Sequence, residues 1–140
     1  MIRAAGVIFL SKSTGRILLN LRAENVPKGG VLGFWGGKIN NNETLNEGLA
    51  RELLEEMGGE IHPYIKSIPI DVYNSPDNKF QYYSYVIIVD NEFCPKLNEE
   101  SDGYAWITIG KWPKMLHPGA KMILYNKTII KALHKFAVEK

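Results

Sequence analysis

Apolar and polar positions divide this chain into segments with two different periods. Ile2–Leu10 (IRAAGVIFL) is apolar and partly β-branched and reads as a strand. Ser11–Gly15 is a turn cluster, and Arg16–Arg22 (RILLNLR) reads as the hairpin partner. Ala23–Lys38 holds five glycines and a proline, which predicts a loop containing short extended pieces. From Thr44 the pattern becomes helical. Thr44 with Glu47 three residues on forms a capping box, and Gly58–Gly59 supplies the stop. Tyr64–Tyr73 and Phe80–Val89 read as strands around the turn Asn74–Asn78, and Tyr104–Ile109 as a short strand. In His117–Ala137 the residues Met122, Ile123, Ile129, Ile130, Leu133 and Phe136 recur at helical spacing, predicting one terminal helix. There is no internal repeat. Strands on both sides of a helix, closed by another helix, predict an α+β fold: a mixed sheet covered on both faces.

The first helix has an unusual charge pattern. At 100° per residue, Glu56 lies about 40° to one side of Glu52 and Glu55 about 60° to the other. Gly48 falls between Glu52 and Glu55, and Leu49, Ala50, Leu53, Leu54 and Met57 take the opposite arc. Carboxylates three and four residues apart repel. A glycine inside a helix costs about 1 kcal/mol relative to alanine, a cost accepted where another group must approach the backbone. Either the face is solvated, or a cation sits there. Mg²⁺ takes oxygen ligands and is commonly held by one or two carboxylates with substrate phosphates.

Composition narrows the partners. The 140 residues suit a single domain spanning 1–140. The net charge of +2 comes from dispersed acids and bases, with no basic stripe to track a nucleic acid. Cys94, the sole cysteine, cannot form an internal disulfide, which fits a reducing, cytoplasmic setting. No signal-peptide pattern follows Met1–Leu10, and no apolar run approaches the ~18 residues of a membrane span.

The stretch from Gly37 bears on the choice posed by the acidic helix. Gly37 is followed after five residues by Glu43, and seven more lead to Arg51-Glu52-Leu53-Leu54-Glu55-Glu56-Met57-Gly58-Gly59. This resembles the Nudix hydrolase signature, G-x5-E-x7-R-E-U-x-E-E-x-G-U with U aliphatic. Every fixed position matches except the last, where Gly59 stands for an aliphatic residue. At roughly 7% per residue type, seven specified identities arise in a given window on the order of once in 10⁸. A second departure is Trp35, where the family usually has proline before the two glycines. The paired N-terminal strands ending in Arg22, and Asn98–Ile109 as a late acidic loop leading into a strand, look like further family features.

The resemblance implies an α/β/α sandwich and metal-dependent hydrolysis of a nucleoside diphosphate linked to another group. It implies Glu52, Glu55 and Glu56, with the Gly37 carbonyl, as ligands for Mg²⁺ or Mn²⁺, with more than one ion when substrate is bound. It pairs Glu43 with Arg51. The base is a glutamate of the box or of the late loop, where Glu100 is the best candidate and Glu99 and Asp102 are rivals. Arg22 and Lys38 are candidate phosphate partners. Trp35, Tyr73, Tyr83 and Trp112 are candidates to stack on a base. Pro76, seventeen residues after the box, is placed as in ADP-ribose-cleaving members, which points to ADP-ribose or an ADP-sugar; it also explains itself as a turn residue. Dinucleoside polyphosphates and damaged nucleoside triphosphates are the alternative substrates, and a nucleotide-sensing module is the alternative to an enzyme. The expected partner is a small nucleotide, with no nucleic acid and no membrane, and a homodimer is not excluded. His62, His117 and His134 form no ligand-spaced pair and read as structural.

Overall fold

A computed structural model describes residues 1–59 and 63–138. His62 therefore lies outside the described residues. In chain order the elements are β1 (Ile2–Ser11), β2 (Arg16–Arg22), β3 (Leu32–Gly33), β4 (Trp35–Ile39), α1 (Leu45–Glu56), β5 (Lys66–Asn74), β6 (Phe80–Val89), β7 (Ser101–Thr108), α2 (Pro118–Leu124) and α3 (Lys127–Val138).

β1 organises the sheet. Along one edge it runs parallel to β6, from Ile2 opposite Phe80 to Ser11 opposite Val89. Its other edge is shared: Arg3–Val7 pair antiparallel with β4, and Phe9–Leu10 with β2. β5 lies antiparallel outside β6, and β7 and β3 both pair antiparallel with β2. The sheet is thus mixed, as the pattern predicts.

The continuous apolar run of β1 follows from burial on both faces. Ile8 and Leu10 point to a core completed by Ile123 and Leu124 of α2 and Ile129 and Leu133 of α3. Val7 and Phe9 point to a second core with Trp35, Ile39, Leu49 and Met57 under α1. Helices therefore cover both faces, and the fold is an α/β/α sandwich.

The capping box at Thr44 forms in both directions: the Glu47 amide donates to Thr44 Oγ1 at 3.2 Å, and the Thr44 amide to Glu47 Oε1 at 2.9 Å. Gly58 and Gly59 end α1 with φ of 67° and 83°, and the Gly59 amide returns to the Leu54 carbonyl at 2.7 Å. Two successive left-handed residues favour glycine, which accounts for Gly59 in place of an aliphatic residue.

Three expectations change. The terminal helix is two helices, because the Asn126 side chain accepts from the Thr128 amide at 2.9 Å and the Ile129 amide at 3.3 Å, capping a new start. β7 begins at Ser101, ahead of Tyr104. Ala50 is exposed, while the acid-bearing side of α1 buries Gly48 and Glu56.

Candidate active site

The acidic side of α1 is pressed against β4, and two glycines permit it. A Cβ on Gly48 would lie 2.6 Å from Ile39 Cδ1, and one on Gly37 would lie 2.7 Å from the Glu52 carboxylate. These are the close approaches that the helix glycine suggested. Glu56 accepts from the Gly36 amide at 2.7 Å and is 3% exposed. Glu52 and Glu56 therefore meet the Gly36–Gly37 strand, whereas Glu55 is exposed at the outer edge.

Arg51 knits the box together. Its Nε and Nη2 make a bidentate pair with Glu43, both at 2.9 Å. Nη1 reaches Glu52 at 3.0 Å and Glu55 at 3.4 Å, and Nη2 also donates to the Lys38 carbonyl at 3.0 Å. Glu43 accepts in addition from the Asn40 amide at 2.8 Å. Hydrogen bonding to Arg51, then to Asn40, holds the Glu43 carboxyl down at about 2. Glu47, within helical reach of Arg51, is occupied by the capping box instead.

Glu56 has the opposite electrostatics. Burial pushes its carboxyl up to about 8, the charges of Glu52 and Glu100 add to this, and the Gly36 amide only partly opposes it. Burial also raises Glu52, against Arg51. Glu100 thus acts on both box acids. Its loop is tied to α1, since Asn98 donates to the Glu55 carbonyl at 2.9 Å and receives the Glu100 amide at 2.9 Å. Of the rival acids, Asp102 is engaged with the Glu24 amide at 3.3 Å, and Glu99 is exposed, as Glu100 itself is.

Among the described residues, no three acidic, histidine or cysteine side chains stand close enough to form a ready metal cage. Arg51 draws Glu52 and Glu55 towards Glu43. The donor chemistry nevertheless fits a divalent cation: Glu56 is buried beside two other acids with no side-chain cation bonded to it, and hard oxygens are what Mg²⁺ and Mn²⁺ take.

A cleft of about 520 Å³ opens on the far side of Gly36 and Gly37, within the usual range for small-molecule sites. Arg22 lines it, held by the Pro27 carbonyl through Nε at 3.1 Å and Nη2 at 2.6 Å. Lys28 is the second lining cation; Lys38 is exposed and not part of the wall. Trp35 is not a stacking residue. It is fully buried under α1, and its indole donates to the Leu18 carbonyl at 3.2 Å. Tyr83 and Trp112 likewise pack against the two cores, and only Tyr73 of the four candidates reaches the cleft.

Sequence reasoning missed Phe34, Phe80, Tyr82 and His117 on the cleft wall. His117 Nδ1 accepts from the Gly119 amide at 3.0 Å, and burial lowers its pKa, with Arg22 and Lys28 adding to the effect. The signal available was His-Pro-Gly at a helix start, where a side-chain acceptor caps and proline takes the first turn. Pro76 sits in the exposed β5–β6 turn.

Residues 1–126 match the NUDIX domain family model, so the chain belongs to the NUDIX family, and its complete set of box acids makes it a pyrophosphohydrolase of that class. Nudix hydrolases act on nucleotide substrates and generally use divalent metals. The fold is shared with solved structures of low identity. A MutT NUDIX hydrolase from Burkholderia pseudomallei matches with a TM-score of 0.66 at 22% identity, covering 88% of this chain and 95% of that one. A MutT protein from Methanosarcina mazei Go1 matches with 0.63 at 24%, covering 99% and 96%. A bifunctional NMN adenylyltransferase/ADP ribose pyrophosphatase from Francisella tularensis, complexed with AMP and a manganese ion, matches with 0.66 at 18%, covering 97% of this chain and 42% of that one. No curated protein matches the chain. Among the described residues no helix is long and apolar enough to cross a membrane.

Proposed function

We propose that residues 1–140 form one domain that hydrolyses the pyrophosphate bond of a nucleoside diphosphate linked to a further group, with ADP-ribose or an ADP-sugar as substrate. The observation that carries this reading is the shared boundary at Gly36 and Gly37. The acidic helix meets one side of this strand, and the aromatic cleft opens from the other. A diphosphate bound there has its charged centre at the box and its nucleoside among Phe34, Tyr73, Phe80 and Tyr82. The ADP-type substrate is supported by the spacing of Pro76 from the box and by the ADP ribose pyrophosphatase among the proteins of like fold.

Glu52, Glu55 and Glu56, with the Gly37 carbonyl, would hold Mg²⁺ or Mn²⁺. Such ions polarise a phosphoryl oxygen and lower the pKa of bound water. The chain's own groups do the rest. Arg51 and Glu43 fix α1 against the glycine strand, so the carboxylates keep their spacing. Arg22 offers positive charge to the phosphates from one wall, and the exposed Lys38 is a second candidate cation. Glu100 takes a proton from the attacking water or serves as an outer ligand, a reading supported by its charge acting on Glu52 and Glu56. The sole cysteine, Cys94, is exposed and free, which suits a reducing, cytoplasmic compartment.

The test is a chromatographic screen for nucleoside monophosphate formation from ADP-ribose, ADP-sugars, dinucleoside polyphosphates and nucleoside triphosphates, with Mg²⁺ and with Mn²⁺. ADP-ribose or an ADP-sugar should give the highest kcat/KM. Preference for a triphosphate, or cleavage that resists a chelator, would refute the reading.

A further inference from the structure

β2 is apolar through its middle except at one position. Ile17, Leu18 and Leu19 are fully buried, and Asn20 follows them at 4% exposure. By alternation Asn20 faces the same side as Leu18, which packs in the core under α1. Its Nδ2 donates to Glu56 Oε2 at 3.5 Å, a long bond, while the other Glu56 oxygen takes the Gly36 amide. When a cation holds Glu56 ionised, its carboxylate only accepts, so the NH₂ end of the carboxamide must face it. The Asn20 oxygen is thereby turned away from Glu56, and it meets no donor among the described residues.

A buried acceptor without a donor is unusual, and it sits where the charge balance is also incomplete. Arg51 engages Glu43, Glu52 and Glu55 but makes no hydrogen bond to Glu56. Glu52 and Glu100 place further negative charge on Glu56. Arg22 acts on Glu56 only at a distance, and among the described residues no cation and no O–H group is hydrogen-bonded to it. A hydrated divalent cation supplies both, and an amide oxygen suits such a hydration shell.

We propose that Asn20 is a positioning residue for the cation site: its carboxamide oxygen accepts a hydrogen bond from a water in the ion's hydration shell while its nitrogen orients Glu56. This rests on the reading of Glu56 as a ligand. It adds to the box a neutral residue from β2, outside the stretch that carries the signature.

The experiment titrates the whole protein with Mn²⁺ alone, following free ion by electron paramagnetic resonance, beside thermal melts in a chelator. Asn20→Leu is close in volume and removes both polar ends. Its Mn²⁺ dissociation constant should rise about 10- to 100-fold, the scale seen when an outer partner of a metal site is lost. Its melting temperature in chelator should stay level or rise, since a buried unpaired acceptor is gone. Asn20→Asp keeps an acceptor oxygen in place and should bind Mn²⁺ at least as tightly as the wild type. If Asn20→Leu melts lower in chelator but binds Mn²⁺ normally, Asn20 is structural and the proposal is overturned. An Asn20→Asp protein with weakened Mn²⁺ binding overturns it too, and decides the matter if the leucine variant does not fold. No nucleotide is present, so the outcome is separate from the substrate screen. A wild type that binds Mn²⁺ and cleaves no nucleotide refutes the hydrolysis alone; one that binds no Mn²⁺ refutes both.

Discussion

A guanidinium has five N–H donors in a fixed plane, and Arg51 directs them to Glu43, Glu52, Glu55 and the Lys38 carbonyl. Lysine cannot reproduce that fork. Arg51→Ala should lower both the melting temperature and the turnover number, and Arg51→Lys should restore little of either. The gap between wild type and Arg51→Ala in melting temperature should also depend on pH. Glu43 has a folded-state pKa of about 2, depressed by Arg51. Its contribution is fully present above its ordinary pKa and is lost as pH falls through the folded value. The gap should therefore close in acid, and an acid-insensitive gap would show that Arg51 acts through packing. Glu56→Gln tests a different role. It keeps the shape and removes the group that ionises, so metal-free stability should hold, and rise as pH approaches 8, while turnover falls at least ~10²-fold, the scale for one electrostatic catalytic group. Glu100→Gln should match that loss if Glu100 is the base and fall well short of it if it is an outer ligand. Melts in chelator and steady-state rates in saturating Mg²⁺ read all of these.

Between α1 and β4, local propensity and tertiary fit disagree. Gly48→Ala in an isolated helix would gain up to about 1 kcal/mol. Here the added methyl falls 2.6 Å from Ile39 Cδ1, which is itself buried. The substitution should lower the melting temperature and, by pushing α1 off the glycine strand, lower activity. Ile39→Val removes that Cδ1 and should recover part of both losses in the Gly48→Ala background. A stabilised Gly48→Ala protein would mean that α1 is not seated as described. The same contact marks how far the sequence could be read. The caps of α1 and the β1–β2 and β5–β6 hairpins rest on neighbours close in sequence, and they were legible; the parallel ladder between β1 and β6 joins distant segments and was not. The buried arc of α1 was legible only in part, because β4 lies against the acids and Ala50 is left in solvent. Trp35 looked like a stacking residue because aromatic character does not reveal which face of a strand is covered. The break at Asn126 was visible as a capping residue within the apolar period, but helical spacing on both sides masked it. The cleft was the least legible feature. Phe34, His117 and the β6 pair Phe80 and Tyr82 come from three separate segments and meet only through the sheet order.

Across the whole molecule, Glu43 and Glu56 give the stability–pH curve two opposite slopes. For Glu56 the folded-state pKa is raised, to about 8, chiefly by burial. A carboxyl whose folded pKa lies above its unfolded value of about 4.5 holds its proton more tightly in the native state. In chelator its contribution is fully present below that unfolded value and is lost as pH rises through the folded one. Metal-free protein should therefore lose stability between about pH 4.5 and 8, a range in which many proteins are near their maximum. Saturating Mg²⁺ changes the sign. An ion that binds the ionised native site and not the unfolded chain stabilises by mass action, and more of the site is ionised at higher pH. The Mg²⁺-dependent rise in melting temperature should accordingly grow from pH 5 to pH 8, while Glu56→Gln should flatten the chelator curve and shrink the Mg²⁺ effect at pH 8. Melts of the two proteins at three pH values, with chelator and with Mg²⁺, read every term. A wild-type curve in chelator that climbs steadily to pH 8 would mean that Glu56 is already ionised and compensated within the fold. The acidic face of α1 would then be held by the protein's own groups and have no need of a cation.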